Sequence, residues 1–336
     1  MKFLHKNNFN LLRLCAALSV VFSHSYALSN GVDHGEDFIS NFLIKYFNFS
    51  FASLGVNIFF VISGYLITAS YINRNNFIEF YKARILRIYP ALFVNIIFCI
   101  LIGAIVTNYN IRQYFNSKDT FYFLYQNILL LKGIRFNLPG VFLDNPYPVS
   151  VNGSLWTLPI ELYLYIAISI FGIISILKKK YFNIFLFLLF VSTFFNKLIL
   201  LSGMNIRHIE LVLYFFSGSY FYLNQNLFKL KFKYFILIFI AIVVLLFPSV
   251  FQLKVLWLSF IVILFGTYNK LIINKFTLSH DLSYGIYIYA FPVQQLIAHY
   301  FLGISFLNML IASLVLTILL AFLSWNFIEK LFLSMK

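Results

Sequence analysis

With 336 residues, 62% hydrophobic and 10% charged, and a mean hydropathy of +0.88, the chain lies far from a soluble domain, where about 25% of residues are charged. A net charge of +15 would point a soluble protein toward nucleic acid. Here the Lys and Arg sit in short stretches between apolar runs, the pattern of the positive-inside rule, and no nucleic-acid partner is expected. Cys15 and Cys99 both lie in apolar runs, which excludes a disulfide framework and offers no metal-ligand spacing.

The first apolar run, residues 11–29, follows Lys2 and Lys6 and has the outline of a signal peptide. Arg13 interrupts it and His24 sits among serines, so it reads as an uncleaved first span. Ionisable side chains inside a span are costly and point to function. At about 100° and about 1.5 Å per residue, Arg13 and His24 share one helix face, about 16 Å apart along the axis. That spacing suits a long ligand, charged at one end and reactive at the other. A neutral His24 can take a proton from a hydroxyl and return it; the alternative is a histidine hydrogen-bonded to a neighbouring helix. Arg13 either offers a planar fork to phosphate or snorkels at the span end. Cys15 faces away from His24, so the two form no dyad. The stretch Asp33 to Asp37 is a solvated acidic loop or, through His34 and its carboxylates, a metal site of undiagnostic spacing. A metal is not expected.

The next runs are 50–72 and 88–107. Between them the loop YKARILRIYP, residues 81–90, carries Lys82, Arg84 and Arg87, and Pro90 then opens the third span. If the loop is helical, Arg84 and Arg87 share a face. The cluster is either an ordinary basic cytoplasmic connection or a site for a phosphorylated cytosolic ligand. Residues 108–154 form a long non-cytoplasmic stretch with Pro139, Pro146 and Pro148. Its middle, FYFLYQNILLL, is too short to span and reads as re-entrant or interfacial. Loops of this length tend to carry function.

In the run 155–177, Glu161 lies about one turn inside and needs a partner. It orients His24, pairs with an arginine, holds a sugar hydroxyl, or forms an interhelical ion pair. Asn152, Ser154 and Trp156 precede it; the indole is an interfacial anchor or, with the amide, a carbohydrate contact. Further runs follow at 181–201, 208–224, 234–250, 253–269, 282–302 and 306–326. Arg207, His208 and Glu210 suggest a structural ion pair, with substrate contact as the alternative. Asp281 and Glu329 stand near span ends, where nearby Lys or Arg can pair with them. The expectation is an all-α, polytopic membrane helical bundle of about ten transmembrane helices, one domain over 1–336. The Lys and Arg bias sets both termini in the cytoplasm. No internal repeat of the transporter kind is visible.

These pieces, in this order, resemble acyltransferase family 3, the integral-membrane O-acyltransferases. The likeness begins at Arg13 and His24, spaced as in that family. It continues through GVNIFFVISGYLIT (55–68), FYKARILRIYPAL (80–92), NGSLWTLPIELYLY (152–165), LSYGIYIYAFPVQ (282–294) and FIEKLF (327–332). One departure is Ala290, where many relatives carry His, so nothing catalytic is carried to that position. Some relatives add an extracytoplasmic esterase-like domain, which this chain, running to Lys336, is not expected to have.

The resemblance implies transfer of an acyl group, usually acetyl from acetyl-CoA, to a carbohydrate hydroxyl of O-antigen, capsule or exopolysaccharide. The acceptor is free or lipid-linked, and the setting is the bacterial cytoplasmic (inner) membrane. The phosphorylated end and long arm of an acyl-CoA fit the Arg13 to His24 spacing. On this reading His24, Arg13 and Glu161 are catalytic, Lys82, Arg84 and Arg87 hold the acyl-CoA phosphates, and Asn152, Ser154, Trp156 and Tyr284 contact substrate. His24 serves as general base or carries the acyl group. The rival reading is a transporter or flippase for a lipid-linked glycan, with polar residues lining a path. An inactive relative serving as a membrane partner is the third.

Overall fold

The computed structural model describes residues 7–31, 34–74, 76–195, 205–230, 233–247, 250–268 and 281–336. Asp33 of the acidic stretch, and Lys2, Lys6, Lys197, Lys231, Lys270 and Lys275 of the charge pattern, lie outside the described residues. The protein is all-α, with no β-strand among those residues. The helices are α1 (Phe9–Asn30), α2 (Phe38–Phe47), α3 (Phe51–Arg74), α4 (Phe77–Val106), α5 (Ile111–Asn116), α6 (Lys118–Leu129) and α7 (Thr157–Ile173). They continue as α8 (Lys179–Phe194), α9 (Ile206–Leu223), α10 (Lys233–Leu246), α11 (Phe251–Gly266), α12 (Ser283–Tyr300), α13 (Phe306–Ser324) and α14 (Lys330–Leu333). Each apolar run noted above is helical over most of its described length. Five segments are long and apolar enough to cross a membrane: Phe9–Asn30, Phe51–Arg74, Phe77–Val106, Gly153–Ile173 and Phe306–Leu333.

Two compact units emerge. The first comprises Met1–Ala16, Phe42–Phe80 and Ile160–Ser279. Its centre is the crossing of α3 and α9, where the backbones nearly touch. A Cβ built on Gly64 would lie 1.8 Å from the Phe215 carbonyl oxygen, and one on Gly218 would lie 2.1 Å from that of Val61. The Ser219 hydroxyl donates to Gly64 O at 3.2 Å. Without a hydrophobic force between helices in lipid, close packing of small residues and interhelical hydrogen bonds hold such a crossing. The glycines of ISGYL and FSGSY therefore belong to the packing.

The second unit comprises Ala17–Asn41, Tyr81–Pro159 and His280–Lys336. Here α12 packs on α13, and a Cβ on Gly285 would meet the Ala321 Cα at 2.9 Å. The segment 81–90, expected as a loop, is instead helical and continuous with the following span, with Pro90 inside α4. The Asn76 side chain caps this helix, accepting from Ile78 N at 2.9 Å. Proline removes one backbone donor, and membrane helices tolerate this where neighbours re-satisfy the freed groups. In the stretch 108–154, α5 and α6 are too short to cross a bilayer. In α6, Phe123 and Asn127 are buried while Phe121, Tyr122 and Tyr125 are exposed.

Substituting Gly218→Val puts a branched side chain where 2.1 Å is available. The expected outcome is a loss of at least ~1–3 kcal/mol of stability. It is read as a lower thermal midpoint and a smaller monodisperse peak in detergent.

Candidate active site

His24 sits in the second half of α1, and two features hold that part of the helix. Gln294 of α12, fully buried, donates from Nε2 to Val21 O at 3.0 Å and to Ser25 Oγ at 2.8 Å. Ser23 Oγ donates to Asp37 Oδ2 at 2.7 Å; the same carboxylate accepts Ser40 N at 2.8 Å and Ser40 Oγ at 2.6 Å at the start of α2. Asp37 thus ties α1 to α2. No group of three or more His, Cys, Asp or Glu able to hold a metal occurs among the described residues.

The imidazole of His24 packs edge-on against Phe291, with ring centroids 5.2 Å apart at 84°. Its Nδ1 is buried with no hydrogen-bond partner. A buried nitrogen left unanswered carries a desolvation cost of about 1–3 kcal/mol, a cost most often tolerated at functional sites. His24 lines a cleft of about 550 Å³, within the ~300–1,000 Å³ typical of small-molecule sites. Trp156, Tyr147, Phe136 and Phe291 supply aromatic lining, and Asn137 and Ser150 supply polar groups.

The turn leading to Trp156 has a clear construction. Asn152, 1% exposed, donates from Nδ2 to Asn95 Oδ1 at 3.0 Å and to Ile288 O at 2.9 Å. Its Oδ1 accepts from Ser154 N at 3.2 Å and caps the 3₁₀ turn Gly153–Trp156. A Cβ on Gly153 would fall 2.6 Å from the Phe291 ring, so only glycine admits that ring. Trp156 then reaches the cleft. Asn152, nominated for substrate contact, is engaged within the fold, and Ser154 Oγ is buried with no hydrogen-bond partner. Tyr284 likewise donates its hydroxyl to Ile88 O at 3.0 Å. Both side chains meet main-chain carbonyls, and that of Ile288 lacks its helical donor because Pro292 has no N–H.

Lys82, Arg84 and Arg87 lie on the first half of α4. Lys82 is exposed and Arg84 half-buried. Arg87 is ion-paired, with Nη2 2.6 Å from Asp281 Oδ2 and Nη1 3.8 Å from Glu329 Oε2. Its guanidinium also lies 5.8 Å from the Tyr284 ring centroid. Glu329 reaches it from a π-helical turn, Trp325–Glu329. The pairing anticipated for Asp281 and Glu329 is therefore present.

Two candidates belong to the first unit. Glu161, on α7, accepts from Ser63 Oγ at 2.9 Å and from the Tyr165 hydroxyl. Arg13 is half-buried on α1. In the same unit Arg207 pairs with Glu210 at 2.7 Å, the ion pair read from their spacing. The sequence reading overlooked Gln294, Gln295, Asn145 and Phe291. The signal available was two adjacent amides in an otherwise apolar run, a pattern as costly in a span as an isolated charge is conspicuous.

Residues 6–326 match a family described as an acyltransferase domain. An O-acetyl transferase of Shigella phage Sf6 is 31% identical, over 98% of this chain and 97% of its own length. Nodulation protein 10 of Rhizobium leguminosarum bv. viciae is 36% identical over 171 residues, 49% of this chain and 43% of that protein. No solved structure matches.

Replacing Asn152 with Ala removes the cap and the amide that joins the turn to α4 and α12. A stability loss of about 1–3 kcal/mol is expected, read as a lower thermal midpoint of the purified protein.

Proposed function

The chain belongs to the acyltransferase family and is a membrane acyltransferase, and from that premise we propose that it transfers acetyl from acetyl-CoA to a hydroxyl of a cell-surface carbohydrate. The observation that carries this reading is His24 on the wall of a cleft of about 550 Å³ lined by aromatic, amide and hydroxyl side chains. The relative from phage Sf6 bears the name O-acetyl transferase, which supports acetyl as the group moved.

In the proposed reaction an acceptor hydroxyl enters this cleft. His24 takes its proton as the oxygen attacks the thioester carbonyl. The C–S bond breaks, and the departing thiolate recovers the proton from His24. The products are an O-acetyl ester and free CoA thiol. Lys82 and Arg84 draw the phosphates of acetyl-CoA by charge, and Arg87 joins them on exchanging part of its carboxylate pairing for phosphate. Arg13, on the same helix α1 as His24, is assigned to the donor. Trp156 is assigned to the acceptor. The donor arrives from the cytoplasm, with both termini on that side of a bacterial cytoplasmic membrane crossed about ten times.

His24→Ala tests the reading. Acetyl transfer from labelled acetyl-CoA to the glycan of the producing cell is expected to fall by about 10²–10⁴-fold. Full activity in that variant refutes the role of His24. A label trapped on the protein by rapid quenching would instead mark a two-step route through an acetyl-imidazole. Neutralising Lys82 and Arg84 together is expected to raise KM for acetyl-CoA with kcat kept, and to flatten the dependence of KM on salt.

A further inference from the structure

We propose that the loop from Phe136 to Ser150 is the acceptor subsite, that it is built for an uncharged sugar ring, and that Gln295 is its positioning residue. The inference rests on the acyl-transfer reading and names the class of acceptor.

The lining chemistry comes first. Phe136 and Tyr147 of the loop, with Trp156 and Phe291, give the cleft flat apolar faces. Asn137 and Ser150 of the same loop add an amide and a hydroxyl. A pyranose has one face of C–H bonds and a rim of hydroxyls, and this combination answers both. The described lining holds no Lys, Arg, Asp or Glu. A carboxylate or phosphate brought into it would lose water and meet no fixed charge among the described lining residues, which is unfavourable. An uncharged ring carries no such cost.

The second observation is that this loop is fixed in advance. Gln295, fully buried, donates from Nε2 to Tyr147 O at 2.8 Å and to Ser150 O at 2.6 Å. Asn145 Nδ2 in turn donates to Gln295 O at 2.9 Å and to Gln295 Oε1 at 2.7 Å. Val151 N donates to Phe136 O at 2.7 Å and closes the loop on itself. Between the two Gln295 contacts sits Val149, with φ +69°. A β-branched residue in the left-handed region is strained and persists only where its surroundings over-determine it. The strain and the amide clamp coincide at the residues that line the cleft, which is how a binding wall is preorganised.

The neighbouring amide does the matching work on the other component. Gln294 holds α1 at Val21 and Ser25, beside His24. Consecutive residues of α12 therefore fix the base and the wall that presents the hydroxyl to it. Phe291, one turn earlier, touches both, with ring centroids 5.2 Å from His24 and 5.9 Å from Tyr147.

The test uses the full chain in lipid nanodiscs, labelled acetyl-CoA, and polysaccharide purified from producing cells that lack the gene. NMR of the product is expected to place the acetyl group on an uncharged sugar residue. Tyr147→Ala and Asn137→Ala are each expected to raise KM for the polysaccharide by on the order of tenfold, with KM for acetyl-CoA unchanged. Gln295→Ala is expected to show the same split, acceptor KM up and kcat kept within about twofold, because it loosens the wall and leaves the base in place. Unchanged donor KM in each variant also reports that the protein has folded. Acetyl on a uronate, a phosphorylated sugar or a free amino sugar overturns the subsite. So does an acceptor KM within twofold of the unsubstituted protein in both loop variants. If the unsubstituted protein moves no label from acetyl-CoA to any glycan, the acyl-transfer reading itself has failed.

Discussion

A polar group placed inside a hydrocarbon slab must find its partner within the protein, because no water is there to answer it. In the unit that carries His24 that rule organises nearly everything else. Asn95 and Asn152 spend their amides on each other and on Ile288 O. Gln294 and Gln295 spend theirs on backbone carbonyls of α1 and of the long loop. Each bond ties together segments far apart in the chain. The helices alone would pack by van der Waals contact, which specifies position poorly among similar apolar surfaces. The amides supply the register.

The unit containing Glu161 solves the same problem by a different means. At the α3–α9 crossing the backbones meet at Gly64 and Gly218, and a hydroxyl from Ser219 reaches across to Gly64 O. Close approach of the backbones joins side-chain contacts such as Ser63 Oγ to Glu161 as a source of specificity. One ion pair there is local, Arg207 with Glu210 three residues on. In the other unit the Arg87 pairing spans from α4 to Asp281 and Glu329, and the wide turn at Trp325–Glu329 helps bring the second carboxylate to it.

What could be read from the sequence follows from these two styles of construction. Runs of apolar residues of bilayer length located the long helices, since only helices satisfy their own backbone in lipid, but not the shorter α2, α5 and α14, which lie outside those runs. The ion pairs of Asp281, Glu329 and Glu210 were legible because a charge in such a setting must be neutralised. Pro90 misled the reading: local sequence marks it as a boundary, yet α4 runs through it. Asn152 and Tyr284 were recognisable as polar residues with a purpose, but their partners are the carbonyls of Ile288 and Ile88. A carbonyl acceptor leaves little trace in residue identity, that of Ile288 excepted, which Pro292 four residues on deprives of its helical donor. The same reason hid Gln294 and Gln295, whose partners include the carbonyls of Val21, Tyr147 and Ser150. The cleft itself depends on a loop with a valine at positive φ, a conformation that no local propensity favours.

The separation of Gln294 from Gln295 has a consequence for how this molecule can change. One amide grips the helix and the other grips the loop, and neither bond serves both. Sequence drift between Phe136 and Ser150 can reshape that surface while the hold on α1 at Val21 and Ser25 stays as it is. The reverse also holds, since the loop's grip does not run through the helix. Such a division makes the two holds separate fittings on one helix, and the loop and the histidine meet again at the ring of Phe291.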